Sequence, residues 1–154
     1  MGLSLYYKED DKFIEVSVDI EDGLEPLTSI HDGKKGSVIT RQLYVRNDDS
    51  ALWYSNVIVQ PLDLVDADPY GDTAYNETGW GIKMSESISE PSIQEWEDIN
   101  WGLSITLDDF GSDSGSDTTT YVPFWYYETC PPNEDAQVKT DIVINVSYTE
   151  NAIV

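Results

Sequence analysis

The chain has 154 residues, 40% of them apolar and 12% aromatic, enough for one domain whose core needs no covalent staple. Thirty acidic side chains against eight Lys and Arg leave a net charge of −22 at pH 7. A field of that sign repels phosphate backbones, which excludes nucleic acid as a partner, and keeps the molecule soluble at high concentration.

Short β-rich runs separated by Gly, Pro, Asp and Ser clusters follow one another along the chain. Residues 3–8 and 12–20, LSLYYK and KFIEVSVDI, flank Glu-Asp-Asp and predict a first hairpin, the second strand alternating Ile14, Val16 and Val18 with period two. Residues 21–36 carry three glycines and a proline and predict an irregular connection. SVITRQLYVRND (37–48) and LWYSNVIVQPLDL (52–64) predict two central strands, residues 65–79 a long loop, and WGIKMSES (80–87) a further strand. Pro91 stands where a first helical turn tolerates proline, and Ser92 with Glu95 has capping-box spacing. One or two helical turns are expected there, laying Trp96 over the end of a sheet. INWGLSITL (99–107), TYVPFWYYETC (120–130) and KTDIVINVSYT (139–149) predict the remaining strands, with an acidic Gly/Ser loop over 108–120.

These elements predict an all-β antiparallel β-sandwich, Ig-like or jelly-roll-like, of seven to eight strands with one short helix near 91–98. The whole of 1–154 forms one domain, with residues 1–20 a hairpin that either joins the sandwich or docks on a neighbouring subunit. No βαβ rhythm and no internal repeat are visible.

The titratable residues point away from catalysis. Cys130 is the only cysteine, which excludes an internal disulfide framework and fits a reducing compartment. Its neighbours are Glu128, Pro131, Pro132, Glu134 and Asp135, and acidic neighbours raise a thiol pKa. The only histidine, His31, lies far away in the sequence, so neither a cysteine nucleophile nor a serine triad has its base. Carboxylates are too numerous for any one pair to stand out as glycosidase machinery. No enzymatic activity is expected.

Calcium is the one cofactor the sequence offers. Asp66, Asp68 and Asp72 in DADPYGD, and Asp109, Asp113 and Asp117 in DDFGSDSGSD, place carboxylates on Gly-containing loops, the oxygen-rich setting hard cations favour. Neither loop has EF-hand spacing, and a solvated loop without metal is the expectation. The start MGLSLYYKEDD lacks a signal peptide's apolar run, and no stretch approaches the roughly 18 apolar residues of a membrane span, so folding in a cytoplasm is expected and no membrane partner. The sequons at Asn76 and Asn145 are then chance matches.

Within YVPFWYYETC, Tyr121, Trp125 and Tyr127 fall on one face and Val122, Phe124, Tyr126 and Cys130 on the other. A strand apolar on both faces is covered twice, the second time by a loop or by another chain. Tyr6, Tyr7, Trp53, Tyr54, Trp125 and Tyr127 are the partner-binding candidates that follow from this aromatic distribution.

From Ser37 onward the order of features, QLYVRNDD, LWYSNVIVQPLD, GWGIKMS, PSIQEWEDI, WGLSITL, TYVPFWYYETCPP and KTDIVINVSYTENA, resembles small β-sandwich virion structural proteins of tailed bacteriophages. In such proteins an aromatic strand runs into a proline turn and a final strand seals the sheet. The resemblance covers 37–154 and is one of pattern. It implies a non-enzymatic virion component, present in many copies on a symmetric assembly and bound to a major capsid or tail protein. The charge favours a capsid decoration protein on the particle exterior over a tail, neck or baseplate component. A carbohydrate or cell-surface binding module, using exposed tryptophans and a loop-held calcium ion, is the alternative of another class.

Overall fold

A computed structural model describes residues 2–16, 30, 34–63, 81–116, 120–130 and 142–154. The expectations for residues 17–20, for most of the 21–36 connection, for the 65–79 loop and for residues 80 and 131–141 lie outside them.

The first hairpin forms, with Glu9 in its first strand and not in the loop, and with the second strand ending at Glu15. β1 (Ser4–Glu9) and β2 (Lys12–Glu15) pair with Glu9 opposite Lys12, so the loop is the two residues Asp10 and Asp11. Both have positive φ, 50° and 62°, the combination a two-residue turn needs to match the twist of its strands. β3 (Ser37–Arg46) then pairs with β1, Leu5 standing opposite Val45, which builds the hairpin into the sheet. β4 (Leu52–Asp63) carries a bulge between Ser55 and Ile58, with Asn56 taking the left-handed conformation. After β5 (Gly81–Ser85) comes the helix α1 (Ile93–Glu97). Its capping box is complete: the Glu95 amide donates to Ser92 Oγ and the Ser92 amide to Glu95 Oε1.

β6 is only Ile105–Leu107, not the whole 99–107 run. Residues ahead of it are drawn across β5: the Gly102 amide donates to the Ile82 carbonyl, and Gly102 takes a φ of 72°. β7 (Tyr121–Cys130) and β8 (Ile142–Ala152) complete the fold.

Among the described residues the eight strands form two antiparallel sheets, ordered β2-β1-β3-β7-β5 and β6-β4-β8. Two prolines sit inside strands without breaking them. Pro123 lies beyond the point where β5 stops pairing with β7, and Pro61 beyond the end of β6 on β4, so each strand has an open side there. The inner faces meet in one core, with Leu5, Leu43, Val45, Ile82, Phe124 and Tyr126 on one side and Tyr54, Val57, Val59, Leu107, Phe110 and Ile144 on the other. This is an all-β sandwich of two antiparallel sheets. Fully burying an aliphatic or aromatic side chain of this kind stabilises by about 1.5–3 kcal/mol. Among the described residues no helix is long and apolar enough to cross a membrane.

Candidate interaction surface

Alternation along β7 sends Phe124 and Tyr126 inward and leaves Tyr121, Pro123, Trp125 and Tyr127 on the outer face. Ladder register then fixes their outer neighbours. Tyr127 stands opposite Thr40 and Lys83, Trp125 opposite Gln42 and Ser85, and Pro123 opposite Tyr44, which itself pairs with Tyr6. The outer face of the five-stranded sheet therefore carries an aromatic band from α1 to the first hairpin, and its two ends are treated differently.

At the β5 end the chain covers the band itself. Trp125 Nε1 donates to the Ile88 carbonyl at 3.3 Å, and Tyr127 packs against Trp96 at 5.0 Å and Trp101 at 5.9 Å between ring centroids. Trp101 reaches the sheet because position 81 is glycine: a Cβ there would lie 2.5 Å from the indole. Lys83, only 7% exposed, sits at the centre. Its Nζ donates to the Trp96 carbonyl at 2.7 Å and lies 4.4 Å from the Trp101 ring centroid. Burial pushes the Lys83 amine below its ordinary pKa, with Glu97 opposing. The covering leaves a cleft of about 380 Å³ among Val38, Thr40, Lys83, Glu90, Trp96 and Tyr127, with Thr40 Oγ1 donating to Glu90 across it.

At the hairpin end nothing described covers the band. Phe13 meets Tyr6, Tyr44 and Tyr121 edge to face, at 5.9, 5.1 and 5.2 Å. Lys8 Nζ lies 4.8, 5.0 and 5.6 Å from the rings of Phe13, Tyr44 and Tyr121, and the Arg46 guanidinium lies 4.5 Å from Phe13 and 4.8 Å from Tyr6. Asp48 ties the edge of the cluster, accepting from Arg46 at 2.6 Å and from the Tyr6 hydroxyl at 2.9 Å. Partial burial and that acceptor push the Tyr6 phenol up to about 12. Tyr121 keeps 43% of its surface, and Arg46 Nε is buried with no acceptor among the described residues.

The six partner-binding candidates are not brought together. Tyr6 joins the open cluster, while Trp125 and Tyr127 lie under the covered end. Tyr7 points to the opposite side of β1, half-buried against the core, and borders a cleft of about 360 Å³ that Arg41 and Gln42 line together with the cluster members Lys8 and Tyr44. Trp53 is half-buried on the other sheet, its Nε1 with no acceptor among the described residues. Tyr54 is a correction: at 0% exposure it is a core residue with no surface to offer. The bulge after Ser55 and the paired amides and carbonyls of Tyr54 and Phe110 turn it inward, where its hydroxyl donates to Glu150. Burial and Glu150 push its phenol up to about 12.

Phe13, Tyr44, Tyr121, Lys8 and Arg46 are the members that sequence reasoning missed. The usable signal was parity: Lys8 falls on the same side of β1 as Tyr6, and Tyr44 on the same side of β3 as Arg46, but parity becomes a shared face across strands only once the register is known.

The proposed calcium ligands Asp109 and Asp113 are both exposed, and Asp66, Asp68, Asp72 and Asp117 lie outside the described residues. Among the described residues no three His, Cys, Asp or Glu side chains converge on a point that could hold a metal. The 108–116 loop is instead anchored by Phe110 in the core and knitted by the hydroxyls of Ser112, Ser114 and Ser116, 2.9–3.3 Å apart. Cys130 is a buried thiol at the end of β7.

Compared with known proteins, the chain matches no family model, no curated protein and no solved structure.

Proposed function

We propose that this protein is a non-enzymatic virion structural component of a tailed phage, a decoration protein that binds the particle exterior through the open end of its aromatic band. The observation that carries the proposal is the cluster of Tyr6, Phe13, Tyr44 and Tyr121 under Lys8 and Arg46. In a chain of net charge −22, two of only eight cationic side chains are held over a ring cluster in which Tyr44 is buried but Tyr6, Phe13 and Tyr121 stay partly exposed. Aromatic residues and arginine are what docking patches are enriched in, and the remaining acidic surface keeps the unbound protein soluble. A partner that presents a carboxylate or carbonyl meets the part of the Arg46 side chain that stays exposed, while apolar contacts cover Tyr121 and Phe13. The resemblance from Ser37 onward supplies the kind of assembly.

The test is to add the purified protein to undecorated phage capsids and, in parallel, to isolated tails, and to sediment the particles. Stoichiometric retention on capsids is the expected result, with Phe13→Ala and Arg46→Ala each weakening retention about tenfold or more. Retention on tails alone moves the protein to a tail, neck or baseplate position. Binding to neither, or retention unchanged in both variants, overturns the proposal.

A further inference from the structure

Among the described residues one edge of the sandwich is not protected. Sheet edges expose unpaired N–H and C=O groups, and soluble proteins blunt them with short strands, Lys or Pro, bulges or covering segments. β6 is three residues long, and β5 is covered at Ile82 by the Gly102 amide. β2 carries Lys12 and Glu15. β8, the outer strand of the three-stranded sheet, runs the eleven residues Ile142–Ala152 with no proline, no lysine and a single charge, Glu150. Its one bulge-related irregularity lies on β4, and among the described residues no strand pairs with it on the side away from β4.

We propose that β8 pairs antiparallel with β8 of a second copy of this chain, joining the two three-stranded sheets across a two-fold axis at Ser147. The proposal is independent of which assembly receives the protein. Ser147 is the midpoint of β8, so pairing centred there uses the whole strand, Ile142 meeting Ala152 of the other copy. Val146 then faces Tyr148 twice on the inner face, and both side chains are at least partly exposed in the single chain. An aromatic opposite a β-branched residue is a stabilising cross-strand pair. On the outer face exposed Asn145 meets Thr149, and Ser147 meets itself. The only charge lies opposite Ile144, which sets the two Glu150 six residues apart along the strands, about 20 Å at the usual rise. That exceeds the Debye length of about 8 Å at physiological ionic strength. A second copy therefore fits this edge without like charges facing.

The remaining opposition is long-range repulsion between two chains of −22, which salt screens. Sedimentation equilibrium of the full chain should show a monomer–dimer transition whose dissociation constant falls about tenfold or more between roughly 0.05 and 0.5 M NaCl. Ser147→Glu places two carboxylates directly opposite each other and should weaken the dimer about tenfold or more, while circular dichroism stays native. Thr149→Glu adds the same charge opposite neutral Asn145 and should stay within about threefold of the parent once salt exceeds about 0.3 M. Mixing Ser147→Glu with Ser147→Lys should give a heterodimer tighter than either homodimer. A chain that remains monomeric to about 0.5 mM in high salt overturns the proposal. So does a dimer that Ser147→Glu and Thr149→Glu weaken equally, or a mixture with no gain.

Discussion

The two ends of the aromatic band use the same contact, a cation over rings, and reach opposite outcomes. At the β5 end Lys83 is enclosed by Trp96, Trp101 and Tyr127, and its ammonium closes on the Trp96 carbonyl in the last turn of α1. At the hairpin end Lys8 and Arg46 lie over Phe13, Tyr44 and Tyr6, and no described segment lies over the cluster. What differs, among the described residues, is the covering. The segment after β5 folds back over the sheet, held by a capping box and by a glycine that admits Trp101. Among the described residues the first end is interior and contributes stability, while Tyr121 at the second keeps the surface that the proposed docking would use.

Truncation should separate the two ends most sharply. Trp96→Ala removes a side chain that is 5% exposed and uncovers Lys83, and is expected to cost about 3–5 kcal/mol in denaturant unfolding. Tyr121→Ala, at 43% exposure, should cost about 1 kcal/mol. Equal losses would mean that the ends are equally structural. Gly81→Ala should cost about 1–3 kcal/mol, because the added methyl meets the Trp101 indole at 2.5 Å and must displace it from Lys83. Tryptophan fluorescence should shift to longer wavelength as Trp101 gains water.

The covered end was legible in the sequence to an unusual depth because its instructions are local. Ser92, Glu95 and Trp96 lie within five residues, and capping-box chemistry together with helical spacing is enough to place Trp96 over a sheet. The strands were legible for the same reason, by period two and by turn residues such as Asp10 and Asp11. The open cluster was not, because it is assembled from four strands, β1, β2, β3 and β7, through ladder register, which alternation within one strand does not encode. Tyr54 was misplaced by the same limit: adjacent to Trp53 it takes the opposite face, and only the packing partner, Phe110 from a distant loop, decides which face is inside. The strand expected from 99 was shortened to Ile105–Leu107 by a tertiary contact, Trp101 on Gly81, that no propensity anticipates.

Alkaline pH distinguishes the buried cation from the phenols. The folded-state pKa of Lys83 lies below its unfolded value of 10.5, so between the two the unfolded chain binds more protons and stability rises with pH through that window. Tyr6 and Tyr54 are displaced from 10.0 to about 12, so above 10 the folded chain holds protons that the unfolded chain releases, and stability falls from pH 10 toward 12. Lys83→Met keeps the length of the side chain and leaves the Trp96 carbonyl its bond from the Ile99 amide, so at neutral pH it should stay within about 1 kcal/mol of the parent. The difference between parent and variant isolates the lysine: it should change in the parent's favour as pH rises toward 10.5 and be flat above it. A flat difference throughout would mean that Lys83 titrates normally and is not enclosed.

The smallest expected effect lies in the hairpin turn that supports the open end. Asp11 holds a φ of 62°, a conformation that costs a non-glycine residue free energy and that glycine adopts without strain. Asp11→Gly relieves that cost but adds entropy to the unfolded chain, so the net gain should be only about 0.5 kcal/mol. Because Glu9 and Lys12 stay paired in the same register, Phe13 keeps its place between Tyr6 and Tyr44, and retention on particles should be unchanged. A gain in stability with lost retention would show that the acidic turn itself touches the partner, which would move the edge of the binding surface from the rings to the tip of the hairpin.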